Sequence, residues 1–131
     1  MEATVWSCVR SDAREALGAR HEVRDFLSRD ADVASDLDAS ELIVGELVSN
    51  VVRHASGPIG VYCSWNDDGA VLVVADRGPG IPTVRSCPDG IAERGRGLLL
   101  VLALARTMTV ERATPYGSRV VVELPVKRRV A

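Results

Sequence analysis

The chain has 131 residues and a formal net charge of -2, so it reads as one domain with room for a core and without a strong field for nucleic acid or an anionic membrane. Its composition, 47% hydrophobic and 26% charged, is that of an ordinary globular protein. Cys8, Cys63 and Cys87 are an odd set without metal-ligand spacing, which argues against a disulfide framework and fits a reducing compartment. No charged-then-apolar leader opens the sequence, and no apolar run reaches the length of a membrane span. A cytoplasmic location is therefore expected, with no membrane or direct nucleic-acid partner.

Thr4 to Val9 is strand-like. Ser11 or Asp12 can cap a first helix to about Ser28, with Ala16, Leu17, Val23, Phe26 and Leu27 on one side. After a polar connection, Asp38 or Ser40 can cap a second helix through about Ala55, where Ser56-Gly57-Pro58 stops it. Ile59 to Trp65 alternates as a strand, and Asn66-Asp67-Asp68-Gly69 is a hairpin turn. Ala70 to Ala75 is a continuous apolar run that suits a central strand covered on both faces.

Pro82 to Arg94 lacks periodicity and reads as a lid or irregular loop. Leu98 to Ala105 is a helix, and Thr107–Ala113 with Ser118–Leu124 forms a second hairpin around Pro115-Tyr116-Gly117. Lys127-Arg128-Arg129 reads as a solvated tail. This order predicts a two-layer α/β (α+β) sandwich: a mostly antiparallel mixed sheet with helices on one face. A single domain spans residues 1–131, with its core at about 12–125.

Three segments carry chemistry. Glu46 and Asn50 lie four apart on the second helix and share a face. An amide oxygen suits Mg²⁺, and a carboxylate can take a proton from an attacking hydroxyl. Two polar residues at a helix's solvent boundary would look the same. Asp76 ends an apolar run, and its acceptor-only carboxylate can hold an exocyclic amine such as adenine N6. Gly78 and Gly80 let the backbone approach a flat base, although Asp, Gly and Pro also make plain turns. Gly95-Arg96-Gly97 precedes a helix whose N-terminus favours an anion, and Arg94 and Arg96 can add charge-assisted contacts. A glycine hinge in a loop is the alternative. No Gly-x-x-x-x-Gly-Lys-Ser/Thr loop is present, which excludes a P-loop protein.

In this order the segments resemble the GHKL superfamily, with its Bergerat nucleotide fold shared by gyrase, the ninety-kilodalton heat-shock chaperone, MutL proteins and histidine kinases. Glu46–Asn50 matches the N box, Asp76-x-Gly78-x-Gly80 the first glycine box, and Gly95-x-Gly97-Leu98 the second. Gly117-Ser118 resembles the Gly-Thr that closes the adenine pocket, with serine keeping the hydroxyl. Within the superfamily the chain looks most like the stand-alone anti-sigma factor serine kinases of bacterial partner switching. The features are its size and the phrases Glu46-Leu47-Val48-Ser49-Asn50-Val51-Val52-Arg53-His54-Ala55 and Arg96-Gly97-Leu98-Leu99-Leu100-Val101.

That resemblance implies ATP or ADP and Mg²⁺ as ligands. It implies that Asp76 and Ser118 hold adenine, that Gly78, Gly80 and Ile81 shape the base pocket, and that Asn50 ligates Mg²⁺. Gly95, Gly97 and Leu98 wrap the phosphates, with Arg96 beside them, and Arg94 resembles the lid arginine at the γ-phosphate. Glu46 is the base that activates a serine or threonine hydroxyl on an anti-anti-sigma (STAS-type) partner, whose phosphorylation lets the kinase sequester a sigma factor. The lid between Gly80 and Gly95 is short. The competing function is a nucleotide-gated or degenerate regulator that binds a partner without phosphotransfer. A third is an ATPase that uses water. His21 reads as a surface residue and both tryptophans as packing residues. A homodimer is expected from edge pairing of Thr4–Val9 with its symmetry mate.

Overall fold

The computed structural model describes residues 3–8, 13–54, 59–67, 69–76, 92–112 and 117–130. The chain order is β1 (Ala3–Cys8), α1 (Ala13–Asp30), α2 (Leu37–His54), β2 (Ile59–Asn66), β3 (Gly69–Asp76), α3 (Ala92–Leu104), β4 (Thr107–Arg112) and β5 (Ser118–Leu124). The five strands form one sheet in the order β1-β2-β3-β5-β4. Every neighbouring pair is antiparallel, so the expected mixed sheet is in fact antiparallel throughout. The cause is connectivity: two hairpins and a helical return place each chain segment beside an oppositely directed neighbour.

The sheet buries one face. On it Ile59, Val61, Cys63 and Trp65 of β2 join Ala70, Leu72 and Val74 of β3 and Val120, Val122 and Leu124 of β5. The alternate positions Val71, Val73, Ala75 and Val121 are only half-buried, and Tyr62 is exposed. The run Ala70–Ala75 is central, as expected, but helices cover it on one side only. The period of two still governs, and valines occupy the open side as well.

Helix α2 is the middle of the second layer. It packs on α1 and α3 and reaches β3, while α1 meets β1 and α3 meets β4. Its buried positions Ile43, Val44, Leu47, Val48 and Val51 follow helical spacing. Helix α1 contributes Ala19, Val23, Phe26 and Leu27 at the same spacing. Leu17, expected on that side, is exposed.

Asp36 caps α2 rather than Asp38 or Ser40: its Oδ1 accepts the Ala39 N–H at 2.9 Å, and its carbonyl accepts the Ser40 hydroxyl at 2.9 Å. Asp38 is instead drawn outward to Arg24. The Arg24 guanidinium donates to Asp38 at 2.9 Å and to Glu41 at 2.5 Å, and these two carboxylates raise its pKa further.

The C-terminal segment is a strap, not a solvated tail. The Asp32 N–H donates to the Lys127 carbonyl at 2.8 Å, the Lys127 N–H to Ser35 Oγ at 2.9 Å, and the Arg129 N–H to the Asp30 carbonyl at 2.6 Å. The Arg128 guanidinium lies 5.9 Å from the centre of the Trp65 ring, which packs on Phe26 at 6.3 Å. Gly69 makes room for the strap, because a Cβ there would sit 2.7 Å from the Val126 carbonyl oxygen.

Two outcomes follow from this core. Leu47→Ala, at a fully buried position, should cost about 2–5 kcal/mol in urea unfolding. Burial pushes the Cys63 thiol up to about 12. Native Cys63 should therefore resist iodoacetamide at pH 8 and react once urea unfolds the chain. Because its folded pKa is raised, Cys63 contributes stability that is present below the unfolded thiol pKa of about 8.5 and fades as pH climbs toward the folded value. A urea series from pH 7 to pH 10 checks the sign.

Candidate functional site

The site gathers at one end of the sheet, and strand register shows why. Asp76 is the last residue of β3, paired with Ile59 at the start of β2 and with Ser118 at the start of β5. Helix α2 precedes β2, whose first residue pairs with Asp76, so its last turns, with Asn50, lie toward this same end. Helix α3 leaves the chain after β3 and ends beside Thr107, which pairs with Glu123 at the opposite end of the sheet. Its N-terminal turns therefore belong to the Asp76 end.

Asp76 and Ser118 are both buried, and Ser118 Oγ donates to Asp76 Oδ2 at 2.8 Å. A buried carboxylate requires such partners. The hydroxyl fixes the carboxylate's orientation. The sequence resemblance pairs these two residues through a base; the structure pairs them directly, as their facing register positions require.

Asn50 is 2% exposed, on the same stripe of α2 as Leu47 and Val51. Its Nδ2 is buried and has no hydrogen-bond partner among the described residues. Such an orphan donor is costly, and the natural remedy is an acceptor that arrives with a ligand. A phosphate oxygen is such an acceptor, and the amide oxygen of the same side chain is a hard ligand for Mg²⁺. The side chain thus fits both groups. Glu46, one turn earlier, is half-buried at the edge of this stripe.

One expectation, the start of the third helix, changes. Gly95, Arg96 and Gly97 lie inside α3, which begins at Ala92, rather than in a loop before a helix starting at Leu98. Arg94 is in the same first turns. Two glycines in one turn argued against a helix, and the tertiary setting overrides that propensity. Leu98 is buried in the core, where its side chain anchors α3. Gly78, Gly80 and Ile81 lie outside the described residues. His21 is exposed and Trp65 buried, as expected.

One feature of the helix layer was not read from sequence. Gly45, just before Glu46, leaves room for Arg20 to cross α2; a Cβ there would lie 2.9 Å from Arg20 Cδ. Arg20 then reaches Glu41 at 3.4 Å, which ties α1 to the helix that carries Glu46 and Asn50. A small residue facing an arginine-rich helix was the available signal.

The histidine kinase-like ATPase domain family matches residues 9–124. The chain belongs to that family. The sensor histidine kinase NarS of Mycobacterium tuberculosis is 40% identical over 90 residues, which cover 66% of this chain and 21% of NarS. The chain thus spans about a fifth of that relative's length. Among solved structures, ShkA in complex with AMPPNP superposes with a TM-score of 0.59 at 20% identity, covering 100% of this chain and 33% of ShkA. The histidine kinase domain of the blue-light activated kinase from Erythrobacter litoralis EL346 gives a TM-score of 0.52 at 24% identity, covering 69% of this chain and 44% of that one. These structural likenesses show the shared fold.

The Asp76–Ser118 pair yields a prediction that separates binding from folding. Asp76→Asn keeps the shape but turns one acceptor oxygen into a donor, so it should weaken Mg-ATP binding at least tenfold in calorimetry. Ser118→Ala should lower unfolding free energy by about 1–3 kcal/mol, because it removes a partner from a buried carboxylate.

Proposed function

We propose that this ATPase domain is an anti-sigma factor type serine/threonine-protein kinase, which transfers the γ-phosphate of ATP to an anti-anti-sigma (STAS-type) partner. The observation that carries the reading is the combination on α2: a buried Asn50 with an orphan amide donor, and a half-buried Glu46 one turn away. Nucleotide binding alone needs Asn50 and Asp76 but gives a carboxylate base nothing to do. Asn50 would hold Mg²⁺ against the phosphates, and the ion would neutralise charge on the transferred group. Asp76, fixed by Ser118, would receive the adenine amine. Glu46 would take the proton from the acceptor hydroxyl as its oxygen attacks phosphorus, while ADP leaves with the former bridging oxygen.

A protein acceptor needs a place to dock near the phosphates. Helix α3, whose first turns lie at the nucleotide end, carries exposed leucines at 99, 100 and 102 beside its buried Leu98 and Val101. A helix apolar on both its inner and outer sides is suited to hold a partner on the outer one. Phosphorylation of the STAS-type protein would release it, and the kinase would then hold a sigma factor.

The likeness to NarS favours a second reading, in which the acceptor is a histidine, as in a sensor histidine kinase. A third is a regulator that binds nucleotide without transfer. The chemistry of the product separates all three. With Mg-[γ-³²P]ATP and a STAS-type acceptor, the proposal expects label on the acceptor that survives acid and is lost in alkali. Acid-labile, alkali-stable label would identify phosphohistidine and overturn the serine assignment. No label with intact nucleotide binding would indicate the non-catalytic regulator. Glu46→Ala should reduce transfer by at least about a hundredfold while Mg-ATP affinity stays within twofold. Transfer that survives the change would remove Glu46 as the base.

A further inference from the structure

The end of the sheet away from Asp76 holds a second concave site. On β5, Glu123 lies five positions beyond Ser118, about 17 Å along the strand. There the turn after β2, the residue before β4 and the strap enclose a cleft of about 630 Å³, lined by Asp67, Gly69, Arg106, Glu123, Lys127 and Arg128. That volume falls in the range of about 300–1,000 Å³ usual for small-molecule sites, but the lining is charged where such sites are mostly apolar.

Backbone bonds fix the walls. The Arg106 N–H donates to the Glu123 carbonyl at 2.9 Å. Lys127 is pinned through both of its backbone groups: its N–H donates to Ser35 Oγ at 2.9 Å, and its carbonyl accepts the Asp32 N–H at 2.8 Å. Gly69 is buried, and a Cβ there would come 2.7 Å from the Val126 carbonyl oxygen and 3.4 Å from Arg106 Nη1. A glycine at this point lets the strap and Arg106 lie close over the turn, and a side chain would push into both. The cleft is therefore set by the fold before any ligand arrives, which lowers the ordering cost of binding.

The charges around the cleft fall into two groups. Arg106 and Arg128 are engaged within the chain, Arg128 over the Trp65 ring and 3.9 Å from Asp30. The carboxylates of Asp67 and Glu123 and the ammonium of Lys127 make no side-chain hydrogen bond or ion pair among the described residues. Groups of opposite sign thus border one cleft without closing on each other. A ligand with two cationic groups and one carboxylate would meet all three with charge-assisted hydrogen bonds. We propose that this cleft binds a dibasic α-amino acid, such as ornithine or arginine. Lys127 holds its carboxylate, and Glu123 and Asp67 hold its two cationic groups. A neutral amino acid lacks the second cation and a diamine lacks the carboxylate, so each leaves one of the three side chains unmet. The site draws on no residue of the nucleotide end and stands independently of the phosphotransfer reading.

NMR titration of the ¹⁵N-labelled whole chain with L-ornithine, up to about 10 mM, tests the assignment. Saturable shifts centred on Gly69, Glu123 and Lys127 are expected, with a midpoint at or below about 1 mM. Lys127 is the only lysine of the sequence, so reductive ¹³C-methylation, which keeps the charge, adds a direct probe of its ammonium; that signal should move with the same midpoint. Lys127→Met leaves the strap's backbone bonds in place and should weaken binding at least about tenfold, as should Glu123→Gln. Asp67→Asn, at an exposed position, should do the same and decides the matter if Glu123→Gln fails to fold. Putrescine and alanine should each bind at least about tenfold more weakly than ornithine. Mg-ATP affinity should be unchanged in all three variants. No saturable shift up to about 10 mM ornithine would overturn the proposal. So would binding of putrescine as tight as that of ornithine, or ornithine binding indifferent to Lys127→Met.

Discussion

Helix α2 has to be the centre of the core and the wall of the site at once, and the rest of the structure depends on that constraint. Its stripe of Ile43, Val44, Leu47, Val48 and Val51 lies between the sheet and the other two helices. Burying a run of this kind is the main driving force available to a domain of this size. The same stripe ends in Asn50, a polar residue as deeply buried as its apolar neighbours. Packing therefore fixes where the amide lies, with almost no freedom left for it to move. A ligand that meets Asn50 meets a group already oriented, which lowers the ordering cost of binding.

The devices around α2 hold that position rather than add to the site. Asp36 caps its start, and Arg20 and Arg24 bind Glu41 from the neighbouring helix. Each exposed ion pair contributes little alone, on the order of 1 kcal/mol or less. Their value is geometric, because they set how α1 lies across α2 at Gly45. The C-terminal strap closes the far end of the molecule by bonding to the α1–α2 junction and by covering Trp65 with Arg128. The end without the strap is the one that carries Asp76 and Ser118. One end is thus bound by backbone hydrogen bonds, and the other carries the buried Asp76–Ser118 pair.

What the sequence made legible was local. The two hairpins announced themselves through Asn66–Gly69 and Pro115–Gly117, because turn chemistry acts over a few residues. Glu46 and Asn50 could be placed on one helix because their spacing is helical. The misreadings came where distant contacts decide. Lys127 and Arg129 looked like tail residues, and their partners lie far off in sequence, among them the Ser35 hydroxyl 92 residues away and the Arg29 carbonyl 100 residues away. Gly95 and Gly97 looked like a loop because glycine weakens an isolated helix, whereas burial of Leu98 and Val101 draws the helix back to Ala92. The central run Ala70–Ala75 looked covered on both sides because a valine-rich strand gives no sign of which side its neighbours will occupy.

The pairing of Asp76 with Ser118 shows how far strand register can carry a functional argument. β3 and β5 pair antiparallel along their full length, so the carboxylate that ends β3 and the hydroxyl that opens β5 face each other. The contact needs no loop to be in any particular place. It buries both side chains and fixes the carboxylate's orientation. A polar pair anchored this way is part of the sheet itself, and its rigidity is that of the strands.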